Sequence, residues 1–176
     1  MIAVQITKNF QNINVSLSKI EKLVKAICNR FKLANATISI AIVDDTQMRK
    51  VNAQFLNHKS TTDCLSFDLS DEGSAVRRPA DREAGSDHSP ARRASAPSRQ
   101  ESGRTFELII NGELALKEAN LRGHSSEAEL ALYITHGLLH NLGFDDSTQS
   151  GAQKMHDTED EILQQIGYGL VYNNGK

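Results

Sequence analysis

Residues 71–105, DEGSAVRRPADREAGSDHSPARRASAPSRQESGRT, hold all three prolines of the chain and, apart from alanines, one hydrophobic residue, Val76. Such a stretch cannot bury enough apolar surface to offset the entropy of ordering it, so it reads as a disordered or loosely held loop. Compact domains seldom carry structureless loops of this length, and the segment is therefore read as an insertion. Any core must come from the two flanks. A hydrophobic content of 39% over 176 residues agrees, being low for a chain folded throughout but sufficient for one domain.

The flanks read together as one α/β or α+β unit. IAVQIT (2–7) alternates as a strand does, and LSKIEKLVKAICNRF (17–31) has helical spacing through Leu17, Ile20, Leu23, Val24, Ile27 and Phe31, with Ser16 or Ser18 as cap. ATISIAIVDD (36–45) is β-rich, and Asp44 or Asp45 then starts a helix through Val51, Asn52 and Phe55. DCLSFDL (63–69) and TFELIIN (105–111) are expected as strands on opposite sides of the insertion, followed by a helix over about 113–121. SSEAELALYITHGLLHNLG (125–143) has a strong helix start, with Ser125 or Ser126 followed by Glu127 and Glu129. A last helix is expected from about Thr148 to Ile166. The overall expectation is a single α+β domain with a small mixed sheet of about four strands, about five helices, and a site at a helix end.

Charge excludes a broadly basic body. The insertion carries seven arginines against six acids, so of the net charge of −2 it supplies +1 and the flanks −3. A nucleic-acid contact would have to come from a local patch or from the arginines of the insertion, whose bland alternative is a solvated linker. Cys28 and Cys64 stand apart from each other and read as small buried hydrophobes in a reducing compartment. No secretory signal and no run of about 18 apolar residues is legible, so the expected location is the cytoplasm, without a membrane.

His136 and His140 stand four apart in THGLLHNLGFDDS (135–147). On a helix that spacing puts both imidazoles on one face, about 6 Å apart, where both can point at one ion. A histidine pair beside Leu138, Leu139 and Leu142 could equally be a satisfied core pair. In an unbroken helix residue 146 would lie about 240° round from His140 and face away. Gly143 offers a way back, because glycine at a helix C-terminus readily adopts the left-handed conformation and reverses the chain. Asp145 or Asp146 can then close a third position. In HExxH peptidases the residue after the first histidine is a glutamate that serves as general base; here it is Gly137, which disfavours peptide hydrolysis.

HGLLHNLGFDD, taken with TTDCLSF, resembles the YbeY family of bacterial rRNA-maturation endoribonucleases. The family's last motif, H-G-x-L-H-L-x-G-Y-D-H, carries three zinc-binding histidines; His136 and His140 match the first two, and Asp146 falls at the third. Phe144 and Asn141 replace its tyrosine and second leucine. The upstream motif N-x-x-Y-R-x-x-D-x-P-T-D-V-L-S-F is matched at Asn52, Thr62, Asp63, Leu65, Ser66 and Phe67, with Phe55 for the tyrosine. Gly112, Glu113 and Leu114 correspond to G-D-I, and Met155 and Glu159 to M-x-x-x-E. The resemblance spans nearly the whole chain outside 71–105.

What it implies is a metal-dependent, single-strand-specific endoribonuclease in 16S rRNA maturation and ribosome quality control, with an rRNA precursor and the small ribosomal subunit as partners. One Zn2+ would be held by His136, His140 and Asp146, acting through metal-bound water, with His58, Lys59, Thr62, Asp63 and Ser66 as substrate contacts. Read from the residues alone, the acid run DTEDE (157–161) is most simply a solvated helix face, with Glu159 also able to orient a ligand. Two departures matter. Asp146 in place of histidine lowers the charge of the centre by one, weakens the ion as a Lewis acid and leaves another divalent metal open. Leu56 stands where the family has an arginine implicated in catalysis, so His58 or Lys59 would have to supply the cation. The alternatives are a ribosome-assembly factor with a structural metal, or a metallohydrolase of another substrate. His156, beside Asp157, reads as a solvated surface residue, His124 as a cap or loop position, and His88 is assigned no role.

Overall fold

The computed structural model describes residues 1–70 and 103–172, so the insertion, apart from its last residues, lies outside the described part. Among the described residues are four strands, β1 (Ile2–Lys8), β2 (Ala36–Val43), β3 (Cys64–Asp68) and β4 (Arg104–Asn111). Five helices accompany them: α1 (Leu17–Arg30), α2 (Asp45–Leu56), α3 (Gly112–Arg122), α4 (Ser126–Asn141) and α5 (Gln149–Ile166). The strands form one mixed sheet in the order β1-β2-β4-β3; β1, β2 and β4 are parallel, and β3 is antiparallel to β4 at the edge. This is the α+β architecture expected from the sequence.

Helix starts follow local chemistry. Ser16, Asp44, Asn111, Ser125 and Thr148 each accept a backbone N–H of the first turn, satisfying donors that a helix leaves unpaired. Asp44 and Asp45 divide the work at α2. Asp44 is the cap, whereas the Asp45 carboxylate accepts from Thr61 Oγ1, Asn111 Nδ2 (3.0 Å) and Arg49 Nε (2.8 Å), which holds its pKa down to about 2. Asn111, fully buried, also donates to the Thr62 carbonyl at 3.2 Å, so the segment leading into β3 is tied to the end of β4.

Arg104 and Thr105, which composition groups with the insertion, belong to the start of β4. The Arg104 guanidinium meets Asp68 at 2.8 Å, and the Leu69 N–H donates to the Thr105 carbonyl at 2.8 Å. The chain thus leaves β3 and enters β4 at adjoining strand ends.

One sheet face, with Ile38, Ile40, Ile42, Leu108 and Ile110, packs under α1 and α4 in the main core, and α5 lies against those two helices. On the other face α2 closes a smaller cluster of Val43, Met48, Leu56, Leu65 and Phe67. Helix α4 is the centre of the molecule: Leu130, Ala131, Ile134 and Leu139 are wholly buried, and Thr135 returns its hydroxyl to the Ala131 carbonyl. The helix touches the sheet at Gly137. A Cβ there would stand 2.5 Å from Cys64 Sγ and 3.1 Å from Leu108 Cδ2. The residue after the first histidine therefore faces the sheet and has no room for any side chain. Gly137→Ala is expected to destabilise the protein by about 1–3 kcal/mol despite alanine's better helix propensity, read as a lower denaturant midpoint. Pairing it with Cys64→Ala should recover part of the loss.

Candidate metal centre

His136 and His140 are the part-exposed residues of the C-terminal half of α4, each with 21% of its side chain exposed. After His140 the helix ends in a Schellman turn. The Gly143 N–H donates to the His140 carbonyl and the Phe144 N–H to the Leu139 carbonyl, with Gly143 at φ +97°. Phe144 then packs edge-on against Phe31 at 5.7 Å, anchoring the reversal. The two aspartates that follow differ in direction. Asp145 accepts the Ser147 N–H (2.9 Å) and hydroxyl (2.8 Å), whereas Asp146 Oδ2 lies 3.7 Å from Nε2 of both His136 and His140.

The Nε2 atoms of the two histidines are 3.0 Å apart. Their tautomers follow from the other ring nitrogens. His136 Nδ1 meets Glu159 Oε1 at 2.7 Å, and His140 Nδ1 meets the Phe144 carbonyl at 3.3 Å. A carboxylate and a carbonyl only accept, so each Nδ1 carries the hydrogen and each neutral ring turns a lone pair on Nε2 toward the other. Two facing lone pairs with a carboxylate oxygen beside them repel unless a cation lies between. Tetrahedral zinc with bonds of about 2.0–2.1 Å separates its ligand atoms by roughly 3.3 Å, and the observed 3.0–3.7 Å brackets that value. His136, His140 and Asp146 form a group that can hold a metal ion.

Charge in the metal-free site is divided unequally. Burial opposes charging His136, but the Glu159 hydrogen bond and the negative charges of Glu159, Asp63 and Asp146 outweigh it, and its pKa lies above the ordinary value. For His140, burial and the positive charge of His136 prevail over Asp146, and its pKa lies below. Of the two rings, His136 is the one that charges more readily.

Thr62 and Asp63 lead into β3, and Ser66 is on β3, with its Cβ on the α4 side near Gly137. Asp63 Oδ1 accepts from the Cys64 N–H (2.8 Å) and from Thr62 Oγ1 (3.1 Å), and its charge acts on His136 and Tyr133. His58 and Lys59 are exposed in the segment between α2 and β3. Leu56 turns inward to the smaller core cluster, while Phe55 is 53% exposed with its ring 5.5 Å from that of Phe67.

His156 and part of the acid run depart from the expectation, since Glu159 and Asp160 are buried rather than on a solvated face. His156 is not a solvated surface residue: its Nδ1 donates to Glu159 Oε2 at 2.9 Å, and its ring stacks on Tyr172. The available signal was its i,i+3 spacing to Glu159, masked by the acidic run around it. His124 approaches the fully buried Glu129 at 2.9 Å, beside Arg122, while Ser125 does the capping.

Comparison with known proteins places the chain in a family. The family model described as Endoribonuclease YbeY matches residues 5–167. Curated relatives named Endoribonuclease YbeY include that of Moorella thermoacetica, 31% identical over 75% of this chain and 74% of the relative. The Helicobacter hepaticus protein is 32% identical over 74% of this chain and 68% of its own length, and that of Sulfurovum sp. 26% identical over 90% and 88%. A solution structure of TM1509 from Thermotoga maritima shares the fold, with a TM-score of 0.54 and 16% identity over 98% of this chain and 99% of that one. Fold and family match define an endoribonuclease-type α+β protein with a metal-capable helix end. The chain belongs to the YbeY family.

Glu159→Gln leaves a neutral amide beside His136 in place of the carboxylate. Metal affinity is expected to fall about 10–100-fold, measured by competition with a chromophoric chelator. Because metal must displace the proton on His136, affinity should also fall on acidification, beginning above the ordinary histidine pKa rather than at it; a pH series of the same titration reads this.

Proposed function

We propose that this protein is a metal-dependent endoribonuclease that cuts single-stranded RNA, acting in the cytoplasm on an rRNA precursor during 16S rRNA maturation and ribosome quality control, with the small ribosomal subunit as partner. The observation that carries the reading is the convergence of His136 Nε2, His140 Nε2 and Asp146 Oδ2 within 3.0–3.7 Å, in a chain whose family is YbeY. Among the described residues no helix is long and apolar enough to cross a membrane.

His136, His140 and Asp146 would hold one Zn2+, their donor set being ordinary for that ion. When bound, the ion supplies Lewis acidity toward a phosphoryl oxygen and toward water. The protein's own contributions are positional. Glu159 and the Phe144 carbonyl fix the direction of the two rings, and Asp146 offsets part of the cationic charge. Thr62 and Ser66 offer hydroxyls along the edge strand, where an extended single strand can lie, and Asp63 sets the electrostatic environment of His136. With Leu56 turned into the core, Lys59 and His58 are the cations proposed to meet backbone phosphates.

His136→Ala is expected to abolish both metal uptake and cleavage of single-stranded RNA, measured on protein purified without chelators. Asp146→His should keep the metal, and Asp145→Ala should too. If Asp145→Ala releases the metal, the third ligand has been misplaced by one residue.

A further inference from the structure

Glu159 meets more than His136. Its carboxylate, 1% exposed, receives one imidazole N–H on each oxygen: His136 Nδ1 on Oε1 at 2.7 Å and His156 Nδ1 on Oε2 at 2.9 Å. His156 and Glu159 are three residues apart on α5, so a single turn of helix sets the second bond. The outer face of the His156 ring is covered by Tyr172, with ring centroids 3.5 Å apart and planes 9° from parallel. The segment that carries Tyr172 is itself held. Val171, buried in the main core, and Tyr172 both donate their backbone N–H to Asp160 Oδ1, at 3.3 and 3.2 Å.

A continuous row of contacts therefore runs from the C-terminal segment through His156 and Glu159 to His136. The last torsion of a glutamate is broad, so a carboxylate bonded through one oxygen can swing its plane. A second N–H on the other oxygen removes that freedom. The direction in which His136 presents Nε2 depends on where Glu159 Oε1 stands, and metal sites require ligand placement to within about 0.2 Å.

We infer that His156 is a positioning residue of the metal centre, holding the Glu159 carboxylate so that His136 aims Nε2 at the ion. This rests on His136 being a metal ligand. It goes beyond the family motif, since M-x-x-x-E, matched by Met155 and Glu159, leaves position 156 open. The brace is a feature of this chain, built from a histidine and a folded-back C-terminal segment.

The test is the zinc affinity of the full-length protein, by chelator competition, for wild type, His156→Phe and His156→Gln, with thermal melting of the metal-free forms alongside. Phenylalanine keeps the stack on Tyr172 but has no N–H; glutamine gives up the ring but can still donate to Glu159. His156→Phe is expected to bind zinc about tenfold more weakly, the lower end of the range for outer partners of metal ligands. His156→Gln should stay within about twofold of wild type. If the phenylalanine variant does not fold, His156→Ala replaces it with the same expectation. Wild-type affinity in the donor-free variant, or equal losses in both variants, overturns the inference and leaves the ligand assignment standing. A wild type that takes up no zinc overturns both.

Discussion

The approach of α4 to the sheet at Gly137 governs the rest of the structure. With Cys64 and Leu108 against its backbone, the helix can bury nearly all its length and leave only a narrow strip at the surface, where His136 and His140 emerge. A helix held a few ångströms farther out would move both imidazoles away from β3 and from Glu159. The absent glutamate of the peptidase motif has the same cause: at position 137 a side chain would run into the sheet, so no general base can be carried there.

Given that placement, the electrostatics of the site follow from acceptors on the far sides of the rings. Glu159 and the Phe144 carbonyl dictate where the imidazole hydrogens sit, and thereby turn both Nε2 lone pairs inward. Asp146 adds a carboxylate to the same small volume. The opposed pKa shifts of the two histidines follow: the acids around His136 outweigh its burial and raise it, whereas burial and the charge of His136 lower His140. An aspartate on the turn after Gly143 reaches the point where both rings converge.

Much of this was legible from local pattern. Cap candidates Ser16 or Ser18, Asp44 or Asp45 and Ser125 or Ser126, alternation in IAVQIT and ATISIAIV, and the helical spacing of α1 and α5 arise from interactions a few residues long, so the elements were bounded to within one or two residues; of each cap pair the structure uses the first. The start of β4 was less clear. Arg104 looks like part of the polar insertion, and only its ion pair with Asp68 and its pairing with β2 make it strand. Gly143 as the point of reversal could be read directly, because a glycine ending a helical pattern has one common use.

Residue spacing carries i,i+4 and i,i+3 neighbours but is silent on which long-range partner meets them. The histidine pair, the returning turn and the alternative aspartates were present in THGLLHNLGFDDS. Which aspartate faces the rings, why position 137 must be glycine, and that His156 is bonded inward rather than solvated depend on contacts between α4, α5, β3 and the C-terminal segment. Leu56 shows the same limit: its identity is plain in the chain, but its burial between α2 and the sheet exists only once the far face of the sheet has closed. Local chemistry names the candidate groups; the packing of distant elements sets the direction of each, because a side chain's aim is decided by what occupies the space around it.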